Sequence, residues 1–299
     1  MTDDRAAVPP TPDGSAVERP THRLIHLSDT HLTEIGVKYN GVIDADAALA
    51  TAAGLVRGAL DAGVTIDAVI ASGDLTDTGD PDAYRRLSTA LGDLGLPVIW
   101  AVGNHDVRVT LHEQLLGRSD TEPVLQVHRI GGLRIVVLDS TVPGRGDGVL
   151  AADHLAALGD ELATPADDGT VVVLHHAPLP APSPLLEYFA LHRASRAALR
   201  DAVADTDVRL VLAGHHHLAR SGMLRQVPVA VAGSAAIRTD PLAPRGTERT
   251  VAAGSLNLVE LFADGHAVSV IPFDEALGAG QAFHLDQAGT DAVIRRHLA

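Results

Sequence analysis

Carboxylate, carboxamide and imidazole side chains gather in five short clusters: Asp29-Thr30-His31, Gly73-Asp74, Gly103-Asn104-His105-Asp106, His175-His176 and Gly214-His215-His216-His217. These groups offer nitrogen and oxygen donors, so the chemistry within their reach is metal binding and proton transfer. In an extended segment residues i and i+2 point the same way and i+1 points away. Asp29 and His31 can therefore grip one ion together, and so can His215 and His217, with His216 facing elsewhere. Only one of His175 and His176 can face such a site; His175 is expected to, because it directly continues the preceding apolar run. Glycines at 73, 103 and 214 allow a sharp turn and close backbone approach.

Each cluster follows an apolar run at once. LIHLS (24–28), AVIAS (68–72), PVIWAV (97–102), VVVL (171–174) and RLVLA (209–213) read as strands buried on both faces, and RIVVL (134–138) as a sixth. Ligands of open α/β sheets lie outside the carboxyl ends of the strands, so the five clusters are expected to converge in one place. Taken singly, each has a plain explanation. Asp-x-His arises by chance, Gly-Asp is a turn signal, Gly-Asn-His-Asp can be a capped Asx turn, and runs of histidine can be strand ends entering solvent. Five such coincidences at strand ends in one chain favour a shared site. The other histidines, at 22, 26, 112, 128, 154, 192, 266, 284 and 297, have no such setting and read as structural.

Between the strands, Leu49, Ala53, Val56 and Leu60 fall on one helical stripe, opened by Asp44 or Asp46 and closed by Gly63. Tyr84, Leu87, Leu91 and Leu94 form another behind Asp80-Pro81, an N-cap with proline at the first helical position. Leu155, Leu158 and Leu162 make a third stripe, and residues 193–204 a fourth. VPVAVA (227–232), LNLVELF (256–262) and HAVSVIP (266–272) read as further strands, the last two joined at Asp264-Gly265. This mixture predicts an α/β layered domain with an added antiparallel portion. The segment 240–254 reads as a long surface loop. Residues 1–21, rich in Pro, Asp, Thr and Ala, read as a disordered lead-in, 22–275 as the catalytic domain, and 276–299 as a loosely attached tail.

The 299 residues suit one large domain or two ordinary ones. The absence of cysteine excludes disulfides, thiolate metal sites and a cysteine nucleophile, leaving His and carboxylate ligands. A formal charge of −15 argues against a broad basic face for nucleic acid or an anionic membrane, and an anionic substrate would need a local cation. With no apolar run of ~18 residues and no signal-peptide pattern, a soluble cytoplasmic protein is expected.

In order, the clusters resemble the motifs of the calcineurin-like metallophosphoesterases: Asp-x-His, Gly-Asp-x-x-Asp, Gly-Asn-His-Asp/Glu, a His often doubled, and Gly-His-x-His. Here they read DTH, GDLTD, GNHD, HH and GHHH. Within that superfamily, YNGVIDAD, GDPDAYRRL, LRIVVLDSTVPG, HHAPLP and DTDVRLVLAGHHH make the chain similar to the bacterial class III cyclic nucleotide phosphodiesterases over residues 22 to 275. The departures are His216 in the last block, Ala177 where proline often follows the paired histidines, and a short C-terminal tail. The resemblance implies a four-layer αββα sandwich of two mixed β-sheets flanked by helices, two bound metal ions, and a homodimer. It implies that Asp29, His31, Asp74 and His217 hold one metal. Asp74 would bridge to a second, completed by Asn104, His175 and His215, while His105 would stand beside the substrate phosphate as the catalytic group. Asp77 occupies the place of a tyrosine ligand in the purple acid phosphatases, so neither that ligand nor its charge-transfer band is expected. Nitrogen and oxygen donors without sulfur suit Fe, Mn or Zn, divalent or trivalent, more than Mg or Ca.

Two ions ~3.5–4 Å apart would share a water and bring its pKa toward ~7. The resulting hydroxide would attack phosphorus in line with the leaving alkoxide. Diester oxygens would bind near His31, Asn104 and His217, and His105 would protonate the leaving group or stabilise its charge. The expected reaction is hydrolysis of 3′,5′-cyclic nucleotides, cAMP first, to nucleoside 5′-monophosphates. One alternative is a broader phosphodiesterase acting on glycerophosphodiesters or other small diesters. Another, from a different class, is a metal-free scaffold using the same fold to bind protein. Asp106 reads as a loop cap in preference to an orienter of His105, and Asp139 as a turn cap or a support for a ligand histidine. Tyr39, Tyr188 and Phe189 could stack on a base, with packing as the competing role.

Overall fold

The computed structural model describes residues 18–273, 281–286, 288–289, 292–293 and 295. In chain order the strands are β1 (His22–Leu27), β2 (Ala68–Ala71), β3 (Val98–Trp100), β4 (Leu125–Ile130), β5 (Leu133–Leu138), β6 (Thr170–His176), β7 (Val208–Gly214), β8 (Arg220–Leu224), β9 (Val227–Val231), β10 (Ile237–Thr239), β11 (Glu248–Ala252), β12 (Ser255–Phe262), β13 (Gly265–Pro272) and β14 (Gln281–Leu285). The helices are α1 (Ala45–Asp61), α2 (Pro81–Gly92), α3 (Arg108–Leu111), α4 (Ala152–Leu162), α5 (Pro184–Tyr188) and α6 (Arg193–Val203), with a π turn over His112–Leu116 after α3.

The apolar runs are strands because both of their faces are covered. One sheet, in the order β13-β12-β1-β2-β3, is parallel across β1, β2 and β3 and antiparallel at β12 and β13. The other, β4-β5-β6-β7-β9-β8, is parallel from β5 to β9 and antiparallel at its two edges. Alternation along β6 separates the layers: Val171 and Val173 join a core with Leu24 and Ile70 of the first sheet, whereas Val172 and Leu174 pack with Leu158 of α4 and Leu199 of α6. On the far side, Ile25, Leu27 and Val69 meet Ala52, Val56 and Leu91 of α1 and α2. Helices, sheet, sheet and helices thus stack as an αββα sandwich. Helix starts follow local chemistry: the Asp44 carboxylate accepts the Ala47 N–H, and Asp80 accepts that of Ala83 ahead of Pro81.

The structure revises several expectations. The later strands read from apolar runs join the two main sheets instead of forming a portion of their own: β9 lies parallel to β7, and β12 and β13 extend the first sheet antiparallel beside β1. A small third sheet, β10-β11-β14, takes residues from the stretches read as loop and tail. The loop reading of 240–254 fails for Glu248–Ala252, and loose attachment of 276–299 fails for Gln281–Leu285, which pair with β11. Segments such as ERTVA and RSGML carry no apolar run, and backbone pairing makes them strands, on both sides for β11 and at a sheet edge for β8. Of the stretch read as lead-in, 1–17 lie outside the described residues, while the Thr21 N–H and hydroxyl both donate to the Leu261 carbonyl. Among the described residues no helix is long and apolar enough to cross a membrane.

Candidate metal centre

The carboxyl ends of β1, β2 and β3 in one sheet and of β6 and β7 in the other bring the five clusters together. Ligand atoms of Asp29, His31, Asp74 and His217 all lie within 4.8 Å of one another, and so do those of Asp74, His175 and His215. Pairing continues past the strand ends, with the Asp29 N–H donating to the Gly73 carbonyl at 2.9 Å and that of His31 to the Asp74 carbonyl at 3.0 Å. The side chains meet for a different reason than extended alternation. Asp29, His31, Asp74, His215 and His217 have φ of 53°, 44°, 49°, 72° and 48°, in the left-handed region. Non-glycine residues reach that region at a cost of roughly 1–2 kcal/mol each, and such strain concentrates at functional sites. Glycines make the close approach possible: a Cβ on Gly103 would overlap the Asp74 backbone nitrogen, and one on Gly214 would overlap Ser28 Oγ.

In the first group His31 Nε2 and His217 Nε2 are 3.0 Å apart, His217 Nε2 is 3.2 Å from Asp29 Oδ1, and His31 Nε2 is 3.8 Å from Asp74 Oδ2. In the second, His175 Nε2 is 3.2 Å from both Asp74 Oδ2 and Asn104 Oδ1. Outer contacts fix which nitrogen faces inward. His175 Nδ1–H donates to the Ser72 carbonyl at 2.9 Å, leaving Nε2 for the centre. His215 Nε2–H donates to the Phe189 carbonyl at 2.9 Å, leaving Nδ1. Backbone N–H groups hold the carboxylates: His215 donates to Asp29 at 3.0 Å and His105 to Asp74 Oδ1 at 2.8 Å.

Asp29 and Asp74 are fully buried, and among the described residues their ion-pair partners are all imidazoles. Burial pushes the Asp29 carboxyl up, but His217 and His175 outweigh it and hold it at about 2. For Asp74 burial is likewise outweighed, by His175 and His105, and its carboxyl lies well below the usual range. Burial would lower His175, yet Asp74 raises it to about 9. His215 falls well below 6.5 through burial and the neighbouring His176 and His175. Buried carboxylates need pairing or a metal. Imidazole nitrogens facing each other at 3.0 Å, with Asp74 shared between two donor groups, fit a pair of adjacent cations.

His105 stands at the rim, its side chain 40% exposed, with Nδ1 3.1 Å from Asp77 Oδ1 and 3.1 Å from the Asp77 carbonyl. Burial opposes its protonation, but Asp74 and Asp77 prevail and raise it to about 10. Asp77 also lies 3.5 Å from His31 Nδ1, a contact that sequence reasoning missed; its only signal was its place at the end of GDLTD. Asp106 makes no contact with His105 among the hydrogen bonds of the described residues. It accepts from the backbone of Gly103, Leu75 and Thr76 and from the Tyr84 hydroxyl, so it is a loop cap. Asp139 caps its turn through the Thr141 N–H and pairs with Arg108 at 2.8 Å. His176 turns away, with Nδ1 2.8 Å from Ser140 Oγ and Nε2 donating to the Gly146 carbonyl. His216 is buried, 3.3 Å from Arg220 Nη1. Tyr39 stacks on the His31 ring at 4.4 Å, and Tyr188 and Phe189 meet edge to face at 5.1 Å. His297 lies outside the described residues. The carbonyls of Ser72 and Phe189 also escaped sequence reasoning, since a backbone group leaves no side-chain signal.

The calcineurin-like phosphoesterase family model matches residues 22–219. The chain is 38% identical over 275 residues to a probable cyclic nucleotide phosphodiesterase of Rhodococcus erythropolis, covering 90% of this chain and 89% of that protein. It is 38% identical over 269 residues to a cAMP/cGMP dual specificity phosphodiesterase of Mycobacterium tuberculosis, covering 88% and 82%. Among solved structures, a dimetal phosphatase from Danio rerio is similar with a TM-score of 0.59 at 15% identity, over 83% of this chain and 98% of that one. By its sandwich of mixed sheets, its family match and its likeness to relatives along most of their length, the chain belongs to the calcineurin-like phosphoesterases.

Proposed function

We propose that the protein is a metal-dependent phosphodiesterase that hydrolyses 3′,5′-cyclic nucleotides, cAMP first, to nucleoside 5′-monophosphates. The observation that carries this reading is the meeting of His and Asp donors from two sheets around the shared Asp74, beside a half-exposed His105. Likeness to relatives named for cyclic nucleotides supports the substrate class. In this reading Asp29, His31, Asp74 and His217 hold one cation, and Asp74, Asn104, His175 and His215 hold the other. Bound there, the cations would supply Lewis-acid stabilisation of the phosphate charge and activation of water at neutral pH. The ions are Fe, Mn or Zn by donor chemistry. Residues 22–275 make the catalytic domain, and the family resemblance supports a cytoplasmic homodimer.

His31, Asn104 and His217 lie where they can orient the diester oxygens. His105 keeps Nδ1–H on Asp77, which leaves Nε2–H free to donate. Held in that orientation, His105 can present its Nε2–H to the departing O3′. Ser72 and Phe189 carbonyls hold His175 and His215 in fixed tautomers, so no reorientation is needed when substrate arrives.

The test measures metal content and products on one preparation with 3′,5′-cAMP, 2′,3′-cAMP, a glycerophosphodiester and an aryl diester. Turnover of 3′,5′-cAMP to 5′-AMP, abolished by chelation and restored by metal, is expected. Inert 3′,5′-cAMP beside a well-hydrolysed second diester would overturn the substrate, and less than one ion per chain with no hydrolysis would favour a scaffold. Asn104→Ala should lose metal, whereas His105→Ala should keep it and turn over slowly; metal loss in the second variant would refute the role given to His105.

A further inference from the structure

The second cation site draws Asn104 from the loop after β3 and His175 from the end of β6, so it forms only if the two sheets hold these segments at a fixed separation. His175 Nε2 and Asn104 Oδ1 stand 3.2 Å apart. The Asn104 loop is well anchored within its own half. Asp106 accepts the N–H groups of Gly103, Leu75 and Thr76, and the Val107 N–H donates to the Tyr84 hydroxyl of α2. None of these bonds reaches the second sheet.

Arg108, four positions past Asn104, makes that crossing. Its Nη2 donates to Asp139 Oδ2 at 2.8 Å and to Thr141 Oγ1 at 3.0 Å, in the turn that follows β5. The same turn grips the residue next to His175. Ser140 Oγ accepts the His176 N–H at 3.1 Å and donates to His176 Nδ1 at 2.8 Å, while His176 Nε2 donates to the Gly146 carbonyl. Gly148, bridged to Thr141, lies so close to the His176 ring that a Cβ there would overlap it. One turn thus receives the Asn104 loop through Asp139 and the His175 strand end through Ser140. Stability alone is a poor account of the pair. The Asp139 side chain is 1% exposed and that of Arg108 14%, and apolar groups of similar volume often replace a buried ion pair without loss. Asp139 already accepts the N–H groups of Val124 and Thr141, and Arg108 Nε is buried with no hydrogen-bond partner, a cost that filling space would not require. What a planar, donor-rich guanidinium provides between two loops is a fixed register.

We propose that Arg108 and Asp139 are positioning residues that set the spacing of Asn104 and His175, and thereby the affinity of the second cation site. The inference rests on the metal reading given above and is specific to one of its two sites. Among the hydrogen bonds and ion pairs of the described residues, none joins Asp29, His31 or His217 to Arg108 or to the 139–148 segment.

Calorimetric titration of the full, metal-stripped chain with Mn²⁺ tests the proposal. The parent is expected to take up two ions. Replacing both partners, Arg108→Met together with Asp139→Asn, leaves no lone buried charge and should weaken one ion at least about tenfold while the other keeps its affinity. In an Asn104→Ala background the same two changes should add little, because they act on a site already impaired. Arg108→Lys keeps the charge but gives up the fork, so it should fall between parent and double variant, and it carries the test if the double variant does not fold. The Tm without metal separates positioning from folding: a purely structural pair would lower it and leave the two affinities as they were. Equal weakening of both ions, unchanged affinity for both, or full additivity with Asn104→Ala would overturn the proposal. A parent that takes up less than one ion per chain would overturn the metal reading and this inference with it. Two ions in the parent with unaltered affinities in the variants would overturn this inference alone.

Discussion

Gly103→Ala would add one methyl group at the tightest contact of the metal centre. Its Cβ would overlap the Asp74 backbone nitrogen and Oδ1 and lie 2.9 Å from Asp74 Cα. Carbon atoms are comfortable at about 3.5–4.0 Å, so the loops carrying Asp74 and Asn104 must part by roughly 1 Å. Asp74 cannot relieve the clash by changing rotamer, because the nearest atoms include its main chain. Gly103 is not among the residues with left-handed backbone, so alanine meets no conformational penalty there and the effect is steric. Overpacking of this kind costs about 1–3 kcal/mol, and a shift of about 1 Å in catalytic groups is enough to lower turnover ~100-fold. The expected protein keeps its circular dichroism, melts a few degrees lower, retains less metal per chain than the parent and loses about two orders of magnitude in activity. Gly58→Ala is the control: nothing lies within 4 Å of a Cβ at that exposed position of α1. It should gain up to about 1 kcal/mol with metal content unchanged. A fully loaded, fully active Gly103→Ala protein would refute the reasoning.

Asp77→Asn preserves shape but removes one of the two carboxylates that keep His105 protonated. The protonated form exists below the His105 pKa and is lost as pH rises, so activity on diesters with poor leaving groups should fall away roughly one pH unit earlier. An aryl diester, whose leaving group needs no proton, should be little affected; equal effects on both substrates would remove the acid role from His105. His26, fully buried and bonded to Ser72 Oγ, is held at about 4 by burial against the opposing pull of Asp29, below its ordinary 6.5. Its folded value lies below the unfolded one, so its stabilising contribution is complete above pH 6.5 and drains away as pH falls toward 4. In denaturant titrations of His26→Gln, the loss of stability over that window should shrink by about 3 kcal/mol. A parental pH dependence would show that His26 carries none of the acid sensitivity.

The two-sided strands were legible because burial on both faces leaves unbroken apolar runs such as VVVL, and α2 announced itself through Asp80-Pro81. Convergence of Asp29 with His31 was legible from spacing, whereas His215 and His217, expected from spacing to grip one ion together, fall in different donor groups; left-handed backbone at all four aims these side chains, and spacing cannot reveal a positive φ. Asp77 was hard to place because nothing in its three-residue offset from Asp74 dictates contact with His31 and His105. The edge strand β8 and the middle strand β11 of the small sheet were hidden because their polar sequences hold strand form only through the backbones of their partners. That β9 lies between β7 and β8 is a sheet order that no local pattern encodes.

Each donor group draws from both halves of the sandwich. Asp29, His31 and Asp74 follow strands of one sheet and His217 a strand of the other, while Asp74 is joined across the seam by His175 and His215. Ions seated there would act as clasps between two halves that otherwise cohere through side-chain packing and a few hydrogen bonds, such as those from Arg209 of β7 to the Phe262 and Gly265 carbonyls. An ion at one hundred times its dissociation constant adds about 2.7 kcal/mol to the folded state. With metal bound, resistance of the protein to unfolding would follow the supply of free metal, and the halves would loosen as that supply falls.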